Sequence, residues 1–426
     1  MRRVCLTVTG MCMMMLHAFS QATPRDTSAY KPRSLRLDEI EIVSSYYDQT
    51  ANKSAVSGGQ TGPMGDADVT DLSNGIELRF VAWDKHQGKN TLTAGLGFDS
   101  HTAASQAWVS KTGASKKTGT RLYPSINWAH ENALKGTGYE LGAIYSTEYN
   151  YTSVGFDAGI SKKTRDKNGE FSAKVTTYFD QVKLIYPSEF VKGLITNNTD
   201  STIYITGFNG RSEAIPPGGT SRRDKKGVPS SPRDTYTASF SYSQVFNARM
   251  QGSVEFDLVE QHGYLGLPFH RVYFSNGQDT IEKLPSQRFK LPIGFRLNYF
   301  LGDNIILKGY YRFYVDNWGI RSHTASLEVP VKITPFFSVS PFYRYYVQTG
   351  ANYFAPFEKH LATDTYYTSN YALSAFSANL YGVGLRLAPP KGILDKHFNS
   401  LELRYGHYTE TTDLMSNVIS LDLKFR

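Results

Sequence analysis

Between Arg288 and Phe300 the chain alternates without a break: Phe289, Leu291, Ile293, Phe295, Leu297 and Tyr299 hold one parity, and Arg288, Lys290, Arg296 and Asn298 hold the other. A period of two sends successive side chains to opposite faces of an extended strand, so the segment has one apolar and one wet face. The next segment repeats the pattern, with Ile305, Leu307, Tyr311, Phe313 and Val315 against Asn304, Lys308, Tyr310, Arg312 and Asp316. Leu301 to Asn304 is the tight turn between the two. From about Leu35 onward no sustained helical period competes with this alternation. A long series of such strands exposes unpaired backbone at its edges unless the sheet closes on itself.

About sixteen segments (fourteen to sixteen) have the roughly ten residues that a tilted membrane strand needs. Their connections fall into two classes. Those after even-numbered strands are short, as at 85–89, 131–137, 163–169, 246–249, 301–304 and 334–336. Every long one follows an odd-numbered strand, near 48–72, 101–118, 186–234, 261–286 and 349–376. Short periplasmic turns and long external loops are the asymmetry of an outer-membrane barrel. The expected fold is all-β: a transmembrane, antiparallel, up-and-down β-barrel over 35–426. Its first strand is the least regular, because Asp38, Glu39 and Glu41 interrupt it, so the alternative for 22–72 is a periplasmic tail or an internal plug, which would leave fourteen or fifteen strands.

The two ends of the chain point to the same compartment. Arg2 and Arg3 precede a short apolar stretch from Val4 to Phe19, and Ala18 and Ser20 fit a cleavage site, so residues 1–20 read as a signal peptide and 21–34 as a periplasmic segment. Both cysteines, Cys5 and Cys12, lie in the part to be removed, which leaves the mature chain no disulfide, thiolate nucleophile or cysteine metal ligand. At the other end Ile419, Leu421, Leu423 and Phe425 alternate with Ser420, Asp422, Lys424 and Arg426, an amphipathic terminal strand of the kind that barrel assembly machinery reads. The net charge of +8 is spread along the chain, with no compact basic domain for nucleic acid. A mean hydropathy of −0.38 is normal where every second strand residue faces water. These features place the chain in the outer membrane of a Gram-negative bacterium, in contact with its lipid.

Several phrases are specific when taken together: Val43-Ser-Ser-Tyr-Tyr47, Tyr123-Pro-Ser-Ile-Asn-Trp128, Tyr145-Ser-Thr-Glu-Tyr149, Leu267-Pro-Phe-His-Arg-Val-Tyr-Phe274, Phe342-Tyr-Arg-Tyr-Tyr346, Ala388-Pro-Pro-Lys-Gly392 and Glu402-Leu-Arg-Tyr-Gly-His-Tyr408. Over nearly the full length they resemble a family of Bacteroidota outer-membrane barrels classed as an uncharacterised domain. The resemblance implies an outer-membrane location and brings no catalytic residues or cofactor. It also implies an envelope redox neighbourhood, with a small lipoprotein or a thioredoxin-like protein as partner.

On the inward faces, acids dominate the first half (Glu77, Asp99, Glu140, Glu148, Asp157, Asp180), with Arg79, Arg121 and Lys174 among them. Bases dominate from the tenth strand, where Arg296, Lys308, Arg312, Arg344, Arg386 and Arg404 outnumber acids such as Glu328 and Glu402. Rings of Arg and Lys in a lumen favour anionic solutes. The competing reading is a salt-bridged filling, with Arg312, Glu328 and Arg344 pairing as a ladder across three adjacent strands.

No local Ser/His/Asp arrangement and no metal-ligand spacing stands out, so no catalytic residue is assigned. His270, His323 and His407 read as loop-packing or interfacial side chains. Tyr353, Tyr366 and Tyr367, with His270 and Arg271, fall in long loops that either dock a flat external ligand or pack on one another. Prolines 292, 330 and 341 lie within strands and predict bulges or kinks. Two functions remain open: a channel or transport component for a small charged solute, or a non-transport barrel that scaffolds an envelope complex. A membrane-embedded hydrolase ranks below both.

Overall fold

The computed structural model describes residues 32–53, 68–102, 118–186, 203–206, 212–215, 229–393 and 398–426. The signal peptide expected at 1–20 and most of the segment 21–34 lie outside them. The alternating segments form strands β1 (Arg33–Ala51), β2 (Val69–Trp83), β3 (Gly88–Thr102), β4 (Thr118–Asn132), β5 (Thr137–Thr147), β6 (Tyr151–Lys163), β7 (Gly169–Lys183) and β8 (Ser230–Asn247). They continue with β9 (Met250–Gly263), β10 (Gln287–Leu301), β11 (Ile305–Asp316), β12 (Arg321–Glu328 and Val331–Thr334), β13 (Phe337–Gln348), β14 (Phe376–Leu387), β15 (Phe398–Glu410) and β16 (Leu414–Phe425). Each pairs antiparallel with the next. β16 returns to β1 from Ile40↔Phe425 to Ala51↔Leu414, so the sheet closes as a barrel of sixteen strands with no free edge.

Alternation explains both surfaces of this wall. Phe295, Leu297, Tyr343 and Ile160 point outward and are between 47% and 64% exposed, an apolar band that a water-facing surface would not carry. Inward positions are mostly polar or glycine, with a few apolar side chains such as Phe342 and Leu380 among them. The even-numbered strands end in short turns, such as the one through Gly302, whose φ of +67° suits glycine. The odd-numbered strands include all those that lead into long connections, so the barrel has a short-turn end and a long-loop end.

The first strand is continuous despite its acidic residues, because Asp38 and Glu39 meet Arg79 of β2, and Glu41 meets Lys424 of β16. It is therefore neither a tail nor a plug over 33–51. The prolines behave differently from the expectation of three bulges or kinks. Pro330 lies in the break that divides β12. Pro341 and Pro292 stay in register, opposite Val383 and Tyr314. Each lacks its donor on the side where the neighbour's ladder already lapses: Pro341 opposite Val329 in the β12 break, and Pro292 beside the gap between Phe256 and Val259 of β9. The ladder thus loses one bond at each without slipping.

The strands are tilted, and the register shows it. A line of paired residues from Glu41, in the middle of β1, runs through Glu77, Gly95, Ser125, Ile144, Gly155, Tyr178, Thr235 and Gln261 to Arg288, at the long-loop end of β10. Residues at one height in the barrel are therefore displaced about one residue per strand toward the short-turn end, the stagger that closure requires.

Candidate functional site

The lumen wall is the candidate site. In the half from β1 to β8 the inward charges are consumed close by. Asp99 meets Arg121 at 3.8 Å and accepts from the Tyr123 hydroxyl at 2.8 Å. Lys174 bridges Asp157 at 2.7 Å and Glu140 at 3.0 Å, Arg233 holds Asp180 at 2.7 Å, and His101 faces Glu148 at 3.3 Å. Glycines on neighbouring strands give these side chains room to lie flat. A methyl group on Gly97 would collide with the Tyr123 ring, one on Gly142 with Asp157 and one on Gly159 with Glu140. Among the described residues Glu77 makes no hydrogen bond or ion pair, and it lines a cavity of about 270 Å³ with Gly75, Gly97 and Tyr123.

The half from β10 to β16 is built differently. Arg296 meets Glu255 at 3.2 Å and stacks on the Tyr310 ring. Glu328 is held by Lys308 at 3.0 Å and by Arg404 at 2.8 Å, and Arg404 also meets Glu402 at 3.0 Å. The ladder expected from Arg312, Glu328 and Arg344 is thus replaced by Lys308, Glu328 and Arg404. Register explains this, since Glu328 lies opposite Lys308, whereas Arg312 lies opposite Thr324 and Arg344 opposite Ser326. Arg404 reaches Glu328 from three strands away because β14 offers glycine beneath it. A Cβ on Gly384 would sit 3.2 Å from the Arg404 guanidinium.

Among the described residues Arg312, Arg344 and Arg386 make no hydrogen bond or ion pair, and all three are exposed to the solvent space of the lumen. Lys290, on β10, is also without such a partner. The surplus of charge left after pairing is therefore cationic and concentrated on β10 to β14.

Four inward tyrosines went unnoticed in the sequence. Tyr47, Tyr346 and Tyr408 donate to Gln49, Gln348 and Glu410 at 2.6–2.7 Å, and Tyr314 donates to Asp316 at 2.8 Å. The signal was present as Tyr-x-acid or Tyr-x-amide at the long-loop ends of β1, β11, β13 and β15. The ring is laid along its own strand to reach the residue two places on.

At the long-loop end, the connections 264–286, 317–320 and 349–375 fold into one cap. Trp318, 2% exposed, receives the Arg288 guanidinium over its ring, donates to the Gln287 carbonyl and meets Tyr353 edge-on. Tyr353 in turn meets Tyr366, Tyr367 meets Phe274, and Arg271 is buried at the base of a short hairpin (Arg271–Tyr273 with Asp279–Ile281). These loop aromatics pack on one another.

His270 and Glu282 are sealed inside the cap. The Ser369 backbone N–H donates to His270 Nε2 at 3.2 Å, and Glu282 accepts from Thr368 Oγ1 and the Leu267 N–H. Burial pushes Glu282 up to about 7 and His270 down to about 3. A serine, a histidine and a glutamate thus come together, but Ser369 meets the ring through its backbone and all three are buried, Ser369 and His270 at 0% exposure, which gives no access for substrate. His323 and His407 lie on the outward face, bonded to Tyr311 and Asn417 beside other rings, as interfacial side chains do. No group of three or more His, Cys, Asp or Glu suited to a metal ion occurs among the described residues.

Among solved structures, the chain is similar in fold to a bacterial polysaccharide outer membrane secretin, at 9% identity and a TM-score of 0.42 over 91% of this chain and 98% of that one. It is also similar to OpdQ of Pseudomonas aeruginosa, at 7% identity and 0.39 over 93% and 98%. A third is OccK11 (OpdR) of the same organism, at 10% identity and 0.39 over 92% and 96%. No curated protein sequence matches the chain. The family model described as "Protein of unknown function (DUF3570)" matches residues 104–415, and on that match the chain belongs to the DUF3570 family.

Proposed function

We propose that this barrel is an outer-membrane channel for small charged solutes, with a preference for anions. The observation that carries the reading is the exposed, unpartnered set Arg312, Arg344 and Arg386 on one side of the lumen. Sixteen strands enclose a bore wide enough for water, and guanidinium groups that keep their charge throughout the working pH range bias its field. The paired charges elsewhere lie against lumenal glycines that a Cβ would crowd, an arrangement that favours side chains held close to the wall.

Reconstitution of the full chain in planar bilayers tests this. A steady conductance with anions favoured over cations is expected, and replacing Arg312, Arg344 and Arg386 together by Gln should bring the ratio toward one. A silent barrel would overturn the channel and leave the scaffold reading, with a lipoprotein or thioredoxin-like partner to be sought by co-purification. In the same reading β16 is the strand that the assembly machinery engages.

A further inference from the structure

The inward faces of β11, β13 and β15 carry matched tiers. From the long-loop end downward, β11 presents Asp316, Tyr314, Arg312 and Tyr310, and β13 presents Gln348, Tyr346, Arg344 and Phe342. Register pairs Tyr314 through Ser322 with Gln348, and Arg312 through Thr324 with Tyr346. The corresponding residue on β13 is thus two places nearer the short-turn end after two strands, which is the displacement that tilt demands of residues at equal height. Tyr314 and Tyr346 therefore share one level, and Arg312 and Arg344 share the level beneath it. β15 continues the upper level with Tyr408 but has Gly406 where an arginine would stand, so the arginine pair is confined to β11 and β13.

Between the two arginines runs β12, which turns Thr324 and Ser326 to the same lumen. They lie opposite Arg312 and Arg344 respectively. Two guanidinium groups without partners, with hydroxyls between them, supply paired donors for one anionic group. The tyrosine hydroxyls one level up are already spent on Asp316 and Gln348, so what Tyr314 and Tyr346 still have to offer is ring surface.

We infer that Arg312 and Arg344, with Tyr314 and Tyr346 above them, form a binding site for a small carboxylate that carries a flat ring. The carboxylate takes the donors of the arginine level and the ring lies against the tyrosine level. The site deepens the channel reading, because it names the class of anion that pauses in the lumen. It does not depend on conduction for its detection.

The test is calorimetric titration of the detergent-folded full chain with benzoate, acetate and benzyl alcohol, run beside the bilayer measurement. Benzoate is expected to bind about tenfold more tightly than acetate, the gain that one aromatic contact provides, and benzyl alcohol not measurably. Arg312→Gln with Arg344→Gln should abolish benzoate binding. Tyr346→Leu should reduce benzoate to the acetate level, whereas Tyr346→Phe, which keeps the ring, should retain the preference; circular dichroism checks that each variant is folded. Equal binding of benzoate and acetate, or no binding of either, overturns the site. Preferential benzoate binding by a silent barrel would sink the channel and keep the site, and anion conduction without that preference would do the reverse.

Discussion

The two halves of the lumen wall are made from the same kinds of residue and end in different states. From β1 to β8, Asp99, Glu140, Asp157 and Asp180 are each matched by a base on a nearby strand. From β10 to β14, Arg312, Arg344 and Arg386 have no such match among the described residues. The number of charges in a half therefore says little about its field. What matters is whether register and side-chain reach let each one find an opposite. The halves also differ above the wall, since the connections after β9, β11 and β13 form the cap.

The largest effect that would test this contrast falls on the cap. Trp318→Ala empties the position that ties Arg288, Gln287 and Tyr353 together, at a cost of about 3 kcal/mol in local stability. Limited proteolysis should cut within 349–375 faster, while the analogous Trp128→Ala on the outward face of β4 should leave that rate unchanged.

A smaller effect is expected at Glu328. Removing its carboxylate leaves Lys308 uncompensated and Arg404 with Glu402 alone in a partly wet lumen, so Glu328→Ala should lower stability to urea by about 2 kcal/mol, and Ser326→Ala by far less. The same variant frees Lys308 in the already cationic half and should raise anion preference in bilayers. Asp180→Asn, which frees Arg233 alone on the balanced side, should raise it less.

The smallest effect concerns pH and the buried pair in the cap. Glu282, raised from 4.5 to about 7, stabilises the folded cap fully below its ordinary value and loses that contribution as pH rises through about 7. His270, lowered from 6.5 to about 3, stabilises it fully above 6.5 and loses that contribution as pH falls toward about 3. Between 4.5 and 6.5 the two slopes oppose each other, so the hydrogen-exchange protection of the Ser369 amide should be nearly flat there, fall at lower pH and fall again as pH rises from 6.5 through about 7. Glu282→Gln removes one slope, and protection should then fall from 6.5 downward, by up to about tenfold per pH unit.

Alternation made the barrel legible, down to the sixteen strands and the two classes of connection. Side chains that act beyond their nearest strand were not legible. Arg404 finds Glu328 only because the strands tilt and Gly384 clears its path, and neither fact shows in the composition of a single strand. Asp38, Glu39 and Glu41 looked like interruptions because their partners, Arg79 and Lys424, lie on strands that only pairing and closure bring near. The tyrosine level was written in the sequence as a repeated triplet, but its meaning depends on height in the barrel, which needs the register. The loops predicted at 101–118 and across most of 186–234 fall largely outside the described residues.

The seam between β1 and β16 sets an order of events in biogenesis. Its contacts, including Glu41 with Lys424, join residues nearly the whole chain apart, so they form only once both terminal strands are in place. Until then both ends of the growing sheet are open templates for pairing with other chains. The unclosed intermediate must therefore be shielded from its own copies, and the lifetime of that open seam, rather than the stability of the finished wall, sets its window for misassembly.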